Sequence, residues 1–78
     1  MPIDYLVVEE IGVFSKYDKP SEGAVMTKEI NIVAWGNHPP ALDIRKWQDG
    51  EPKGGFVIYD HELDDFFAML RKAYPDRF

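Results

Sequence analysis

The chain has 78 residues, a formal charge of −5 and no cysteine, with 45% hydrophobic and 14% aromatic residues. These values exclude disulfide staples and thiolate metal sites, argue against disorder, and give no net attraction for a polyanion. Residues 1–78 form one expected domain near the lower size limit for a self-sufficient core, where association with a second copy is the common remaining source of stability.

The opening stretch "MPIDYLVVEEIGVF" has neither a basic leader nor a long apolar run, and Asp4, Glu9 and Glu10 interrupt it. Neither a signal peptide nor a membrane helix is expected there, and the cytoplasm is the expected compartment. The first strand is expected over Asp4 to Tyr17, where β-branched and aromatic residues dominate and Gly12 marks a bulge or bend. "DKPSEG", Asp18 to Gly23, reads as a loop. The second strand, Val25 to Trp35, alternates so that Lys28, Ile30, Ile32 and Ala34 share one face and Glu29, Asn31, Val33 and Trp35 the other. "GNHPP" is a turn that its two prolines close to either strand.

The third strand, Ala41 to Gln48, sets Leu42, Ile44 and Lys46 against Asp43, Arg45 and Trp47. "DGEPKGG" reads as a second loop, and "FVIY", Phe56 to Tyr59, as a short apolar fourth strand. Asp60 is the expected cap of a helix whose first turn is acidic, whose last turn holds Arg71 and Lys72, and which Pro75 ends. The fold class expected is α+β: a four-stranded antiparallel sheet followed by one C-terminal amphipathic helix, with the helix covering one sheet face and the other open.

No nucleophile–base order, phosphate-binding glycine pattern or spaced metal cluster stands out, so no catalytic residue, cofactor or metal is expected. His38 lies in the proline turn and His61 at the helix start, and both read as solvated residues. The carboxylates of "DHELDD" are explained by capping and the helix dipole before any hard cation. "KGG" at Lys53 to Gly55 reads as a flexible hairpin loop before a phosphate loop.

The distinctive stretch is "KEINIVAWGNHPPALDIRKW", Lys28 to Trp47. If its two strands pair, Trp35, Asn31, Arg45 and Trp47 meet on one face, a mixture used by binders of single-stranded nucleic acid, in which bases stack on aromatic rings and cations follow the backbone. The same tryptophans would serve equally as core. In the helix, Leu63, Phe66, Phe67 and Leu70 make a wide apolar stripe, which fits either cover for the sheet or packing against a copy in a two-fold dimer.

Taken together, "KEINIVAW…LDIRKW…PKGGFVIYDHELDDFFAML" resembles the single-stranded-DNA-binding domain of the positive cofactor four (transcriptional coactivator) family, in particular its short bacterial members. The resemblance covers Lys28 to the C-terminus. It implies a homodimer joined largely through the helices, with paired β-ribbons forming grooves for single strands. By resemblance, Trp35 matches the base-stacking aromatic, Arg45 the arginine of the third strand and Trp47 the aromatic two residues on. Lys28 matches a basic position opening the second strand, and Lys53 the loop lysine with a one-residue offset. Ile32 and Ala34 depart from the polar or basic residues usual in relatives.

Two functions are expected from these readings. The first is sequence-nonspecific binding of single-stranded DNA or RNA by a homodimer, in transcription or replication. Its binding residues would be Lys28, Asn31, Trp35, Arg45, Trp47 and Lys53, and Leu63, Phe66, Phe67 and Leu70 would form the dimer interface. The second is an acidic protein-interaction module that keeps the fold without nucleic acid, with a protein of the transcription machinery as partner.

Overall fold

A computed structural model describes residues 4–78 of the chain; residues 1–3, which enter the reading of the N-terminus and of the domain span, lie outside the described residues. The elements are β1 (Tyr5–Lys19), β2 (Ala24–Trp35), β3 (Ala41–Gln48), β4 (Glu51–Ile58) and α1 (Asp60–Ala73), with short 3-10 turns at Pro20–Glu22 and Pro75–Arg77. The strands form one antiparallel sheet in the order β1-β2-β3-β4, and α1 follows it. The expected β-β-β-β-α order is therefore the order observed.

Register confirms the two faces read from the alternation. Asn31 lies opposite Asp43, Glu29 opposite Arg45 and Thr27 opposite Trp47, while Lys28 faces Lys46 and Ile30 faces Ile44 on the other side. β1 is less regular. Its pairing with β2 slips between Val7 and Glu9, between Glu10 and Gly12, and between Val13 and Ser15. Each slip leaves one residue of β1 without an opposite number, and each such bulge bends and twists the strand. The bend anticipated at Gly12 is thus one of a set, and β1 runs on to Lys19 instead of ending at Tyr17.

"DGEPKGG" is not a loop. Asp49 and Gly50 alone connect β3 to β4, with φ of 50° and 84°, the left-handed pair that a two-residue hairpin requires. Asp49 also closes the ladder sideways: its Oδ1 accepts from the Val25 N–H at 3.0 Å and its own N–H donates to the Val25 carbonyl at 3.1 Å. From Glu51 the chain is already strand, and a register shift between Arg45 and Trp47 takes up Lys53 and Gly54 opposite Lys46. Gly55 lies directly across from Arg45, so close that a Cβ there would fall 2.5 Å from the Arg45 Cα and the Ile44 carbonyl. Only glycine lets β4 pass at this point.

The helix starts one residue earlier than a cap at Asp60 would place it. Tyr59 is the N-cap and Asp60 the first helical residue; the Glu62 carboxylate reaches back to accept from the Tyr59 N–H at 2.9 Å, one half of a capping box. Arg71 and Lys72 stand in the last turn, where the dipole favours cations. The expectation that this helix covers a sheet face is overturned. No residue of α1 is buried, and its contact with the sheet is essentially with β4 alone. The molecule measures 39 × 33 × 17 Å. Its core lies in the sheet itself, around Val33, Ala41, Trp47, Met26, Ala24 and Ile58.

Candidate nucleic-acid interface

The bulged, coiled β1 wraps the face that carries Trp35 and Trp47 into a cup. The two indoles sit at opposite ends of the β2–β3 hairpin, yet the ring of Tyr5 reaches both, 5.0 Å from Trp35 and 5.9 Å from Trp47 between centroids. Tyr5 is directly opposite Trp35 in the register, and a bond from the Gly36 N–H to the Asp4 carbonyl (2.8 Å) holds the start of β1 against the β2–β3 turn. These aromatic contacts fall within the spacing at which ring pairs attract beyond their buried area.

Asp43 sits at the bottom of the cup, fully buried at 0% exposure. One carboxylate oxygen accepts from Trp35 Nε1 at 2.8 Å and the other from Arg45 Nε at 2.6 Å. Arg45 in turn lies over the Trp35 ring, 4.4 Å from its centroid, and donates from Nη1 to the Lys53 carbonyl at 2.9 Å. A charged group can stay buried when it is paired and hydrogen-bonded in this way. Further along the same face Glu29 accepts from Thr27 Oγ1 at 2.5 Å and from Asn31 Nδ2 at 3.4 Å. The face thus carries two hydrogen-bonded polar sets, one around Asp43 beside the aromatic rings and one around Glu29.

The sequence-predicted residues separate on this map. Trp35, Arg45, Trp47 and Asn31 do share one face, and Lys53 touches it through its backbone. Trp47, however, is 6% exposed and Asn31 is buried, so neither lies on an open platform. Coiling of the sheet folds them inward, and Trp47 belongs to the core. The buried Trp47 Nε1–H has no hydrogen-bond partner among the described residues. Lys28 points to the other face, directly across from Lys46, where Phe14, Ile44 and Phe56 line a shallow hollow with them. Lys53 is half exposed and lies 3.8 Å from Glu51. Of the helix residues, Leu63, Phe66 and Leu70 are half-buried and Phe67 is exposed.

Sequence reasoning missed Tyr5 and underweighted Asp43. Tyr5 is the more exposed member of the aromatic cluster, at 39%. Its signal was an aromatic at the start of the first strand, but its pairing with Trp35 depends on a register that three bulges set. Asp43 was visible as an acid between Leu42 and Ile44, a pattern that reads as solvent-facing until the curvature is known.

No family model, no curated protein and no solved structure matches the chain. Among the described residues, no group of three or more His, Cys, Asp or Glu is placed to hold a metal ion, and no helix is long and apolar enough to cross a membrane.

Proposed function

We propose that the chain binds single-stranded nucleic acid without sequence preference, as a homodimer acting in transcription or replication, with the Tyr5–Trp35 edge of the cup as its stacking surface. The observation that carries this reading is the aromatic and cationic cluster itself: Tyr5 39% exposed, tilted against a half-buried Trp35 whose other contacts, Arg45 and Asp43, hold the ring in place. A rigid, pre-oriented ring accepts any base because every base has a π-face, and such stacking contributes about 1–3 kcal/mol per base. Trp47 and Asn31 serve this reading as support beneath the surface, not as contacts. Lys16, opposite Thr27 on the same face, and Lys53 at the rim are exposed cations that can follow a phosphate backbone. The resemblance to the positive cofactor four family supports Trp35 and Arg45 as members of this surface and a dimer through Leu63, Phe66, Phe67 and Leu70. Tyr5 lies outside the resemblance, and of the two further groove residues it implies, Trp47 is buried and Lys28 is on the opposite face.

The test is a tryptophan-fluorescence titration with a mixed-sequence single strand at low and then higher salt. Quenching that fades with salt is expected, and it should be lost by about tenfold in affinity in Tyr5→Ala, for every base composition tried. Tyr5→Phe should bind like the native chain. An unchanged spectrum at low salt on folded protein would overturn the reading.

One observation favours a second reading, a protein-interaction module. The first turns of α1 present Asp60, Glu62, Asp64 and Asp65 beside an apolar stripe that is nowhere fully buried, on a chain of charge −5. Its expected outcome in the same titration is no binding of the strand at any salt concentration.

A further inference from the structure

Beyond the cup, the end of β2 turns through Gly36 and Asn37 into a hollow of about 410 Å³ lined by His38, Pro39, Pro40, Tyr59, Asp60 and His61. The hollow follows the end of β2 that carries Trp35: the His38 N–H donates to the Trp35 carbonyl at 2.9 Å and closes the turn between them. Three rings converge in it. His38 and Tyr59 are 6.1 Å apart between centroids, and Tyr59 and His61 are 6.2 Å apart with planes only 6° from parallel. The prolines complete an apolar wall.

The chemistry of the lining selects among ligands. Among the described residues no lysine or arginine lines the hollow, and Asp60 does, so it lacks the fixed cations of a phosphate site. A flat, uncharged heteroaromatic ring with hydrogen-bonding edges fits: two imidazoles and a phenol offer π-faces and edge donors, and the Asp60 carboxylate accepts from an exocyclic amine, as acidic side chains do from cytosine N4. We propose that this hollow is a subsite for one unpaired nucleobase, continuing past Trp35 the track that starts on Tyr5. The inference rests on the nucleic-acid reading above and adds to it a separate set of residues, His38, Tyr59 and His61. The backbone of the bound strand passes outside the hollow, and its base turns in.

The test compares the native chain with His38→Ala/His61→Ala and with His38→Phe/His61→Phe, both histidines being exposed and outside the core. Binding of a mixed-sequence single-stranded DNA is followed by fluorescence anisotropy of a label on the strand. The alanine pair is expected to bind about tenfold more weakly, and the phenylalanine pair, which keeps two π-faces, to recover most of that loss. A strand carrying abasic sites throughout should bind the native chain and the alanine pair equally. Equal affinity of native and alanine-pair proteins for the intact strand overturns the subsite while leaving the Tyr5–Trp35 reading standing. Loss in the alanine pair that phenylalanine does not recover overturns stacking as its basis. A native chain that binds no strand at all removes both readings together.

Discussion

Asp43 has both carboxylate oxygens committed, one to the indole of Trp35 and one to Arg45, at a position with no exposed surface. Removing a partner from a buried ion pair leaves the other charge uncompensated, which typically costs about 3–5 kcal/mol. Arg45 keeps some access to solvent (13% of its side chain), so Asp43→Ala is expected at the lower end, about 3 kcal/mol, read as a shift of the urea midpoint. Asp43→Asn should cost less, since it keeps an acceptor for the indole while giving up the charge. Trp47 makes the opposite case. Its buried N–H, without a partner among the described residues, carries a desolvation cost of about 1–3 kcal/mol. Trp47→Phe removes that donor while opening a small void, so the two effects offset and the net change is expected below about 1 kcal/mol. A loss of 3 kcal/mol or more in urea unfolding would show that the packing of the indole outweighs the desolvation of its N–H. The variant also leaves Trp35 as the one tryptophan, so its quenching on a bound strand reads a single site. At this scale the sequence was partly legible: alternation assigned Asn31, Trp35, Arg45 and Trp47 to one face correctly, but alternation carries no information on curvature. Whether that face was flat and open or coiled and closed could not be read from it.

Among the elements, the β3–β4 hairpin shows where residue type misleads. Pro52, Gly54 and Gly55 in a short span read as loop, while the two residues that make the turn, Asp49 and Gly50, were the stronger hairpin signal. Gly50→Ala places a side chain at φ 84° and is expected to cost about 1 kcal/mol. Gly55→Ala should cost more, about 1–3 kcal/mol, because the new methyl meets the backbone of β3 and the Cβ of Arg45 with no flexible atom to move aside. The order of the two losses in thermal melts checks the argument: a Gly55→Ala protein as stable as the native one would mean that β4 does not pass so near. The strands and helix themselves were legible because their periods are strong. β1 was the exception in detail, since an extra residue in every third position looks, in sequence, like an ordinary apolar run.

For the molecule as a whole, a single coiled sheet and a helix that buries none of its residues make an incomplete pair of layers. The apolar stripe of α1, with Phe67 40% exposed and widened beyond Phe66 by Met69, 69% exposed, is left uncovered in one copy. This is the observation that supports the proposed dimer. Sedimentation equilibrium is expected to show two copies for the native chain and one for Phe67→Glu/Met69→Glu, both substitutions being at positions already facing solvent in the protomer. A double variant that still sediments as a pair would take the interface away from this stripe.

The borders of the sheet have a consequence of their own. β1 and β4 are its two margins, and margins of sheets invite a neighbouring chain to add a further strand. Here one margin changes its hydrogen-bonding frame three times, and the other holds Pro52, which has no N–H to offer, followed by a lysine and two glycines. A strand laid along β1 would meet a frame that shifts three times, and one laid along β4 would meet a residue with no N–H. Sideways growth into a ribbon or fibre is therefore disfavoured at both borders, and a chain with this much uncovered apolar surface associates more readily through its faces, where assembly can close and stop.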